Sequence, residues 1–312
     1  MAVTMRTFTW KKDFELVRAF LIHTYHLTHS FQNWIPSMFE NIKFGPCGPE
    51  YRDVEQDYIK IWEKADSPSS SSVSKIVAVT FLKPGGDCWI QIHPDYRFLE
   101  KELVLWLENR RRDLKTNELP ELELRFYVDE TDGERRALLT ELGYANSGLY
   151  AYNRIRAVDK PIPEYHLPDG FAIRSVDVDD DFVPYKAVLT AVFAHCGHMT
   201  RRTAKIYSRA SFYNKDLDLV AVDHRGSFAA FCTVRIDPVS RMAELEPVGT
   251  HPKYRKRGLA RAVICEGLHR LQKYHPSSMC ILGAAPSEAA NRLYESVGFT
   301  QKTEVHLWQK NL

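Results

Sequence analysis

The chain alternates between two kinds of apolar spacing. Short runs such as "YIKIW" (58–62), "KIVAVTFL" (75–82), "DLVAVD" (218–223) and "AAFCTVRI" (229–236) have strand composition and partial period-two alternation. Between them lie stretches with helical spacing. From about Gly258 to Tyr274, the residues Leu259, Val263, Ile264, Leu268 and Leu271 share one side, the ordinary stripe of a helix packed on a core. The second half then reads as a short strand, a helical region and the strands at 218–223, 229–236 and "AELEPVGT" (243–250). That helix follows, then a strand "CILGAA" (280–285), a helix "SEAANRLYESVG" (287–298) and a final strand "EVHLWQK" (304–310). The predicted fold class is α/β of the α+β mixed-sheet kind, with helices on a largely continuous sheet.

The same plan occurs twice. "HPDYRFLEKEL" (93–103) and "HPKYRKRGLAR" (251–261) open alike and both run into a helical stretch. "MRTFTWKKDFELVRAF" (5–20) lines up with "IRSVDVDDDFVPYKAV" (173–188), and "ALLTELGY" (137–144) with "RLYESVGF" (292–299). Three anchors in one order at nearly constant separation predict a structural repeat of about 160 residues. The proline-rich "VDKPIPEYHLPDG" (158–170), ending in Asp-Gly, suits an extended connector. The predicted domains are therefore 1–157 and 171–312 with a linker at 158–170. "DSPSSSS" (66–72) reads as a polar hairpin tip inside the first half.

Composition narrows the classes. Of 312 residues, 44% are hydrophobic and 26% charged, and the net charge is +2, which gives no global basic excess for a nucleic-acid backbone. The six cysteines (Cys47, Cys88, Cys196, Cys232, Cys265, Cys280) contain no C-x-x-C pair, so neither a disulfide scaffold nor a zinc ribbon is expected. No apolar run approaches about 20 residues and the N-terminus lacks a cleavable leader, so neither export nor membrane insertion is expected and the cytoplasm is the natural compartment.

The two copies differ where a helix begins. The first amide groups of a helix lack internal partners, and with the helix dipole they attract anions. In "RKRGLAR" Gly258 allows close approach to the backbone, Ala260 presents only a methyl, and Arg255, Lys256, Arg257 and Arg261 add positive potential. A pyrophosphate suits that arrangement. The plainer alternative is a basic first turn whose glycine serves only the bend, but cations there oppose the dipole.

With "V-x-T-H-P-x-Y-R-K-R-G-L-A" followed by "A-A-N-R-L-Y-E-S-V-G-F", the chain resembles the GNAT superfamily of N-acetyltransferases, and "DLDLVAVD…AAFC…LEPVGTHP" resembles bacterial proteins built from two tandem GNAT domains. The resemblance implies an acetyl-coenzyme A turn of the (Q/R)-x-x-G-x-(G/A) kind, supplied by Arg255, Gly258 and Ala260. It implies that the amides of Lys256, Arg257, Gly258, Leu259, Ala260 and Arg261 cradle the pyrophosphate. It also implies that the strand at Val248, Gly249 and Thr250 pairs with the pantetheine arm. Carried to the first half, Gly258 falls on Glu100, Ala260 on Glu102, and Asn291 and Tyr294 on Arg136 and Leu139. A carboxylate in the phosphate turn blocks backbone approach, so the first half is expected to be a degenerate copy that shapes or covers the substrate cleft.

Acetyl transfer needs a neutral amine, and for an amine of pKa near ~10.4 deprotonation at pH 7 costs about 4–5 kcal/mol. A base in the cleft would supply it. Glu244 and Glu246 share strand parity unless Pro247 marks a bulge; Glu246 is the favoured base and Glu244 the second candidate. Tyr294 matches the family's tyrosine and would protonate the leaving thiolate, and Asn291, one helical turn earlier, would bond the cofactor. For each, the plainer alternative is a solvent-facing carboxylate or a core aromatic. The expected acceptor is a small-molecule amine or a peptide, with no nucleic acid or membrane partner and either a monomer or a homodimer. Cys232 and Cys265 read as core. "HCGH" (195–198) makes no metal site, and "DVDDD" (177–181) reads as a solvated loop capping the next helix. A non-catalytic acyl-coenzyme A sensor is the rival reading.

Overall fold

The structure, a computed structural model, describes residues 3–30, 34–46, 58–64, 76–114 and 122–312. The expected polar hairpin tip at 66–72 lies outside the described residues, but the two strands flanking it are present and pair antiparallel. In chain order the elements are β1 (Val3–Thr7), α1 (Trp10–Thr28), α2 (Pro36–Phe44), β2 (Ile59–Lys64), β3 (Ile76–Leu82), β4 (Asp87–Ile92), α3 (Glu100–Asp113), β5 (Glu123–Asp129), α4 (Gly133–Glu141) and β6 (Ala145–Arg156). There follow β7 (Phe171–Ser175), α5 (Phe182–Val192), α6 (Arg201–Tyr207), β8 (Asp218–Asp223), β9 (Phe228–Ile236), β10 (Met242–Thr250), α7 (Leu259–Leu271), β11 (Ser278–Ala284), α8 (Glu288–Ser296) and β12 (Gln301–Asn311). None of the described helices is long and apolar enough to cross a membrane.

Two compact units emerge. The first comprises Met1–Phe39, Arg52–Tyr152 and Thr303–Leu312, the second Glu40–Tyr51 and Asn153–Lys302. The division differs from the boundaries read in the sequence. Only the end of β6, from Asn153, belongs with the second unit, whereas nearly all of β12, the last strand of the chain, belongs with the first. Periodicity identifies a strand but carries no information about which strand it pairs with.

In the first unit the strands run β1-β2-β3-β4-β5-β12. The pairs are antiparallel except β4 with β5, which meet in parallel at Asp87↔Arg125 and Cys88↔Phe126. Strand β4 alternates strictly, placing Cys88, Ile90 and Ile92 on the core side, where they meet Leu103, Val104 and Leu107 of α3 and Leu139 of α4. The second unit repeats the plan as β6-β11-β10-β9-β8-β7, antiparallel from β7 to β10 and parallel between β10 and β11. Here β9 is buried along its whole length, and the expected stripe of α7 is buried too.

The repeated His-Pro entry has a local cause. His93 Nδ1 accepts the amide of Asp95 at 3.3 Å, and His251 Nδ1 that of Lys253 at 3.2 Å, so each histidine caps a short 3₁₀ turn with proline in its first position. Beyond that turn the copies diverge. In the first unit the 3₁₀ segment Pro94–Leu99 passes directly into α3, and the Glu100 amide donates to the Arg97 carbonyl. Glu100 was expected to stand in an open turn and repel a ligand. Its carboxylate instead turns inward, buried, paired with Arg97 at 2.8 Å and with Arg135. Asp132 closes the cluster through Arg97 at 2.9 Å. Glu102 is exposed, Arg136 donates to the Glu130 carbonyl and Leu139 is core.

Two other expectations change. Asp181 stands at the N-cap position of α5 but makes no cap bond; its carboxylate accepts from both terminal nitrogens of Arg174 and from the Asp177 amide. Cys196 is disulfide-bonded, whereas Cys88, Cys232, Cys265 and Cys280 are free and buried.

The buried cluster in the first unit yields a stability prediction. Glu100→Ala leaves Arg97 and Arg135 short of a buried carboxylate and should cost about 3 kcal/mol, read as a lowered midpoint in denaturant titration. A loss under about 0.5 kcal/mol would mean the cluster is an ordinary surface pair.

Candidate functional site

The site of interest lies in the second unit, where β10 leaves its neighbour. Parallel pairing with β11 covers only Met242↔Ser278, Ala243↔Met279 and Glu244↔Cys280. On its other edge β10 follows β9 to the end, through Val248↔Cys232, Gly249↔Phe231 and Thr250↔Ala230, with a register shift between Leu245 and Val248. Glu246 and Pro247 occupy that shift, so Thr233 faces two residues where the ladder allows one, which is a bulge. Past Glu244, the edge of β10 turned away from β9 has backbone groups with no strand partner among the described residues. Gly249 is required there. A Cβ on it would lie 2.5 Å from the Phe231 ring and 2.9 Å from Val192.

The strand delivers the chain to the basic turn. Lys256 (φ 61°) and Gly258 (φ 79°) are both left-handed, and a Cβ at Gly258 would meet nothing within 4 Å. The helix's first amide bond runs from Ala262 to the Gly258 carbonyl. The amides of Lys256, Arg257, Gly258, Leu259, Ala260 and Arg261 have no acceptor among the described residues. Successive amides in such a turn form an anion-binding concavity. Of the basic side chains, Arg255 donates to the Thr250 carbonyl at 3.4 Å, Arg257 lies over the Tyr254 ring and Arg261 donates to the Glu164 carbonyl at 2.6 Å. Residues 255–258 are exposed.

Glu244 and Glu246 have different surroundings. Glu244 is buried and faces Arg235 directly across the β9–β10 ladder, 3.6 Å from its guanidinium. Arg235 is itself buried, donates to Tyr207 Oη (3.3 Å) and Asn41 Oδ1 (3.3 Å), and lies over the Phe212 ring. Glu246 is partly buried, and its carboxyl is pushed up to about 7 by burial, with Arg235 opposing the shift and Glu244 adding to it. A carboxyl near 7 exchanges protons at neutral pH.

Tyr294 and Asn291 project from α8. The Tyr294 hydroxyl is raised above the ordinary phenol range by burial first and by the charge of Glu246 next, while Arg154 acts the other way. Tyr294 and Glu246 are therefore within electrostatic reach. The Asn291 Oδ1 accepts from Arg154. The cysteine thiols nearby are unpromising as nucleophiles, since burial raises Cys232 and Cys280 far from ionisation. His195 and His198 are exposed, and no group of three metal-type side chains occurs among the described residues.

The predicted residues of β10 and the turn thus form one continuous stretch, and Tyr294 lies within electrostatic reach of Glu246. Arg235 and Arg154 went unread. A lone cation inside the apolar run "AAFCTVRI" was the signal for the first. Arg154 shares strand parity with Arg156 near the end of the first half, which gave no hint of a partner beyond residue 290.

Comparison with known proteins follows from this geometry. The model of the acetyltransferase (GNAT) family matches residues 189–299. Mycothiol acetyltransferase from Paenarthrobacter aurescens (strain TC1) is 25% identical over 171 residues, 53% of this chain and 53% of that protein. The Renibacterium salmoninarum protein of the same name is 30% identical over 147 residues, 45% of this chain and 44% of its own. The chain thus spans about half the length of the curated relatives it matches. Among solved structures, a tandem GNAT protein from the clavulanic acid biosynthesis pathway superposes with a TM-score of 0.69 at 12% identity, covering 99% of this chain and 98% of that one. A GCN5-related N-acetyltransferase from Sphaerobacter thermophilus gives 0.65 at 16% identity, covering 99% and 95%. These likenesses establish the fold, that of a tandem GNAT protein, and residues 189–299 are similar to the GNAT acetyltransferase family.

Proposed function

We propose that the second unit transfers an acetyl group from acetyl-coenzyme A directly to a primary amine, and that the first unit holds no cofactor. The observation that carries the reading is the run of unpartnered amides from Lys256 to Arg261 beside the open edge of β10. The residues fit the cosubstrate. The amides and the charges of Arg255, Lys256 and Arg257 suit a diphosphate, and the backbone at Val248, Gly249 and Thr250 suits an amide-containing arm. Bound there, acetyl-coenzyme A supplies an activated acyl carbon. In the first unit the corresponding helix start is occupied by its own carboxylates, and Glu100 donates its amide internally.

The chain's residues divide the proton work. Glu246, half ionised near pH 7, takes the proton of the acceptor ammonium and leaves the amine nucleophilic. Glu244 serves Arg235 rather than the substrate. Tyr294 keeps its proton at neutral pH and gives it to the sulfur as the carbon–sulfur bond breaks. While Glu246 is charged it makes Tyr294 a poorer acid; once Glu246 holds the amine proton that effect ends, and Arg154 still favours the phenolate. The relatives' naming makes a mycothiol-type amine the first acceptor to try.

Free thiol release from acetyl-coenzyme A with a panel of primary amines tests the reading, and a panel without any release above background rejects it. Gly258→Glu should abolish calorimetric uptake of acetyl-coenzyme A, at a strain cost of about 1–3 kcal/mol at the left-handed position. Uptake equal to wild type would move the cofactor elsewhere. Glu246→Gln should lower turnover about 10²–10⁴-fold, and wild-type kcat should rise through pH 7. The same variant has a stability signature. A carboxyl raised in the folded state is stabilising when protonated and loses that advantage as pH rises from its ordinary 4.5 through about 7. Glu246→Gln should therefore be more stable than wild type near pH 8, on the order of 1–2 kcal/mol, with no gain near pH 4.5. Tyr294→Phe should slow turnover about a hundredfold while leaving cofactor affinity near wild type; unchanged turnover would remove the acid role.

A further inference from the structure

Arg154 is an arginine with no exposed surface, carried by the last residues of β6. One terminal nitrogen donates to the Phe299 carbonyl at 2.9 Å. The other reaches the side-chain oxygen of Asn291 and, at 3.4 Å, the carboxylate of Glu295. These residues lie on and just past α8, on either side of Tyr294. The C-terminal end of that helix already has cations for its carbonyls. Arg156 Nε donates to Val297 at 3.1 Å, and Lys160 Nζ to Gly298 at 3.4 Å. Helix capping therefore accounts for Arg156 and Lys160 but leaves the contact of Arg154 with the Asn291 side chain unexplained.

The chemistry of that contact is directional. A guanidinium only donates, so the Asn291 oxygen must face it, and the amide nitrogen must point the other way as a donor. The cosubstrate's pantetheine amides and phosphates are rich in acceptors, which is the partner such a donor needs. We infer that Arg154 is a positioning residue of the transfer site, fixing the Asn291 amide so that its nitrogen donates to acetyl-coenzyme A and clamping the helix that carries Tyr294. The inference rests on the acetyl-transfer reading above. It also gives a reason for the end of β6 to belong with the second unit, because the site then needs a residue from the first half of the sequence.

A double-mutant cycle on acetyl-coenzyme A binding tests it, with calorimetric affinities for wild type, Asn291→Ala, Arg154→Met and the double variant. Each single change should weaken binding about tenfold, and the double variant should bind no worse than Asn291→Ala. Losses that multiply, or wild-type affinity in Arg154→Met, would overturn the inference. Arg154→Lys covers the case in which Arg154→Met fails to fold. It keeps the charge but cannot serve Phe299 and Asn291 from two nitrogens at once, so it should bind several-fold more weakly with its melting temperature near wild type; wild-type affinity would again overturn the inference. A wild-type chain that takes up no acetyl-coenzyme A would remove both readings, whereas tight uptake indifferent to Arg154 would remove only this one.

Discussion

Parallel strands stay hydrogen-bonded only while they run side by side, and β10 and β11 do so for just Met242–Glu244. The rest of the proposed site depends on that early separation. Because β11 stops covering it, the edge of β10 keeps free backbone groups through Thr250. Because the strand bulges at Glu246 and Pro247, Glu246 leaves the ladder position that locks Glu244 opposite Arg235. Because the chain then turns through two left-handed residues, the amides at the start of α7 face outward rather than closing on a preceding carbonyl. A straight, fully paired strand would provide none of these.

The two units show how little separates an open helix start from a closed one. Both copies use a histidine cap and a proline to make the same 3₁₀ turn. In the second, glycine and a left-handed lysine interrupt the path into the helix and leave its donors exposed. In the first, the path is continuous, and two guanidinium groups with two carboxylates occupy the ground beneath it. Glu134 also lies 3.6 Å from Arg97, so these guanidinium groups are engaged by carboxylates of their own unit. The difference is made by backbone conformation as much as by the acidic side chain that replaces the glycine.

Much of this was legible in the sequence. The stripe of α7 and the apolar run of β9 appear where periodicity placed them, and the α/β layout of the second half follows the predicted order. The shared parity of Glu244 and Glu246 hung on whether Pro247 marked a bulge, and the register shift answers that. The placement of β12 was hidden, because "EVHLWQK" reads as a good strand whatever it pairs with, and the strand ending at Arg156 was not read from the sequence at all. Arg154 and Arg235 were hidden for a related reason. Strand parity tells which residues share a face, but acceptors for a buried cation come from far along the chain, such as Asn291, Glu295 and Asn41. The capping expectation failed because the Asp181 carboxylate is held by Arg174 and by the preceding Asp177 amide, which turn it away from the amides of the helix.

The charge balance around Glu246 distinguishes it from its neighbour Glu244 as the proposed base. Arg235 brings a single positive charge to two acidic groups, and burial works against that charge while Tyr207, Glu244 and Glu246 together sustain it. The geometry assigns the guanidinium to Glu244, which it meets across the ladder, and leaves Glu246 with a weaker share of the same field. Full pairing would hold Glu246 in the usual carboxylate range, too weak a base for an ammonium; no pairing would leave it protonated and idle. The intermediate case suits proton exchange near neutrality. In the proposed transfer it would also order the steps, since Tyr294 feels the negative charge of Glu246 until Glu246 is protonated. Under that proposal, the residue that accepts the first proton makes the second easier to release.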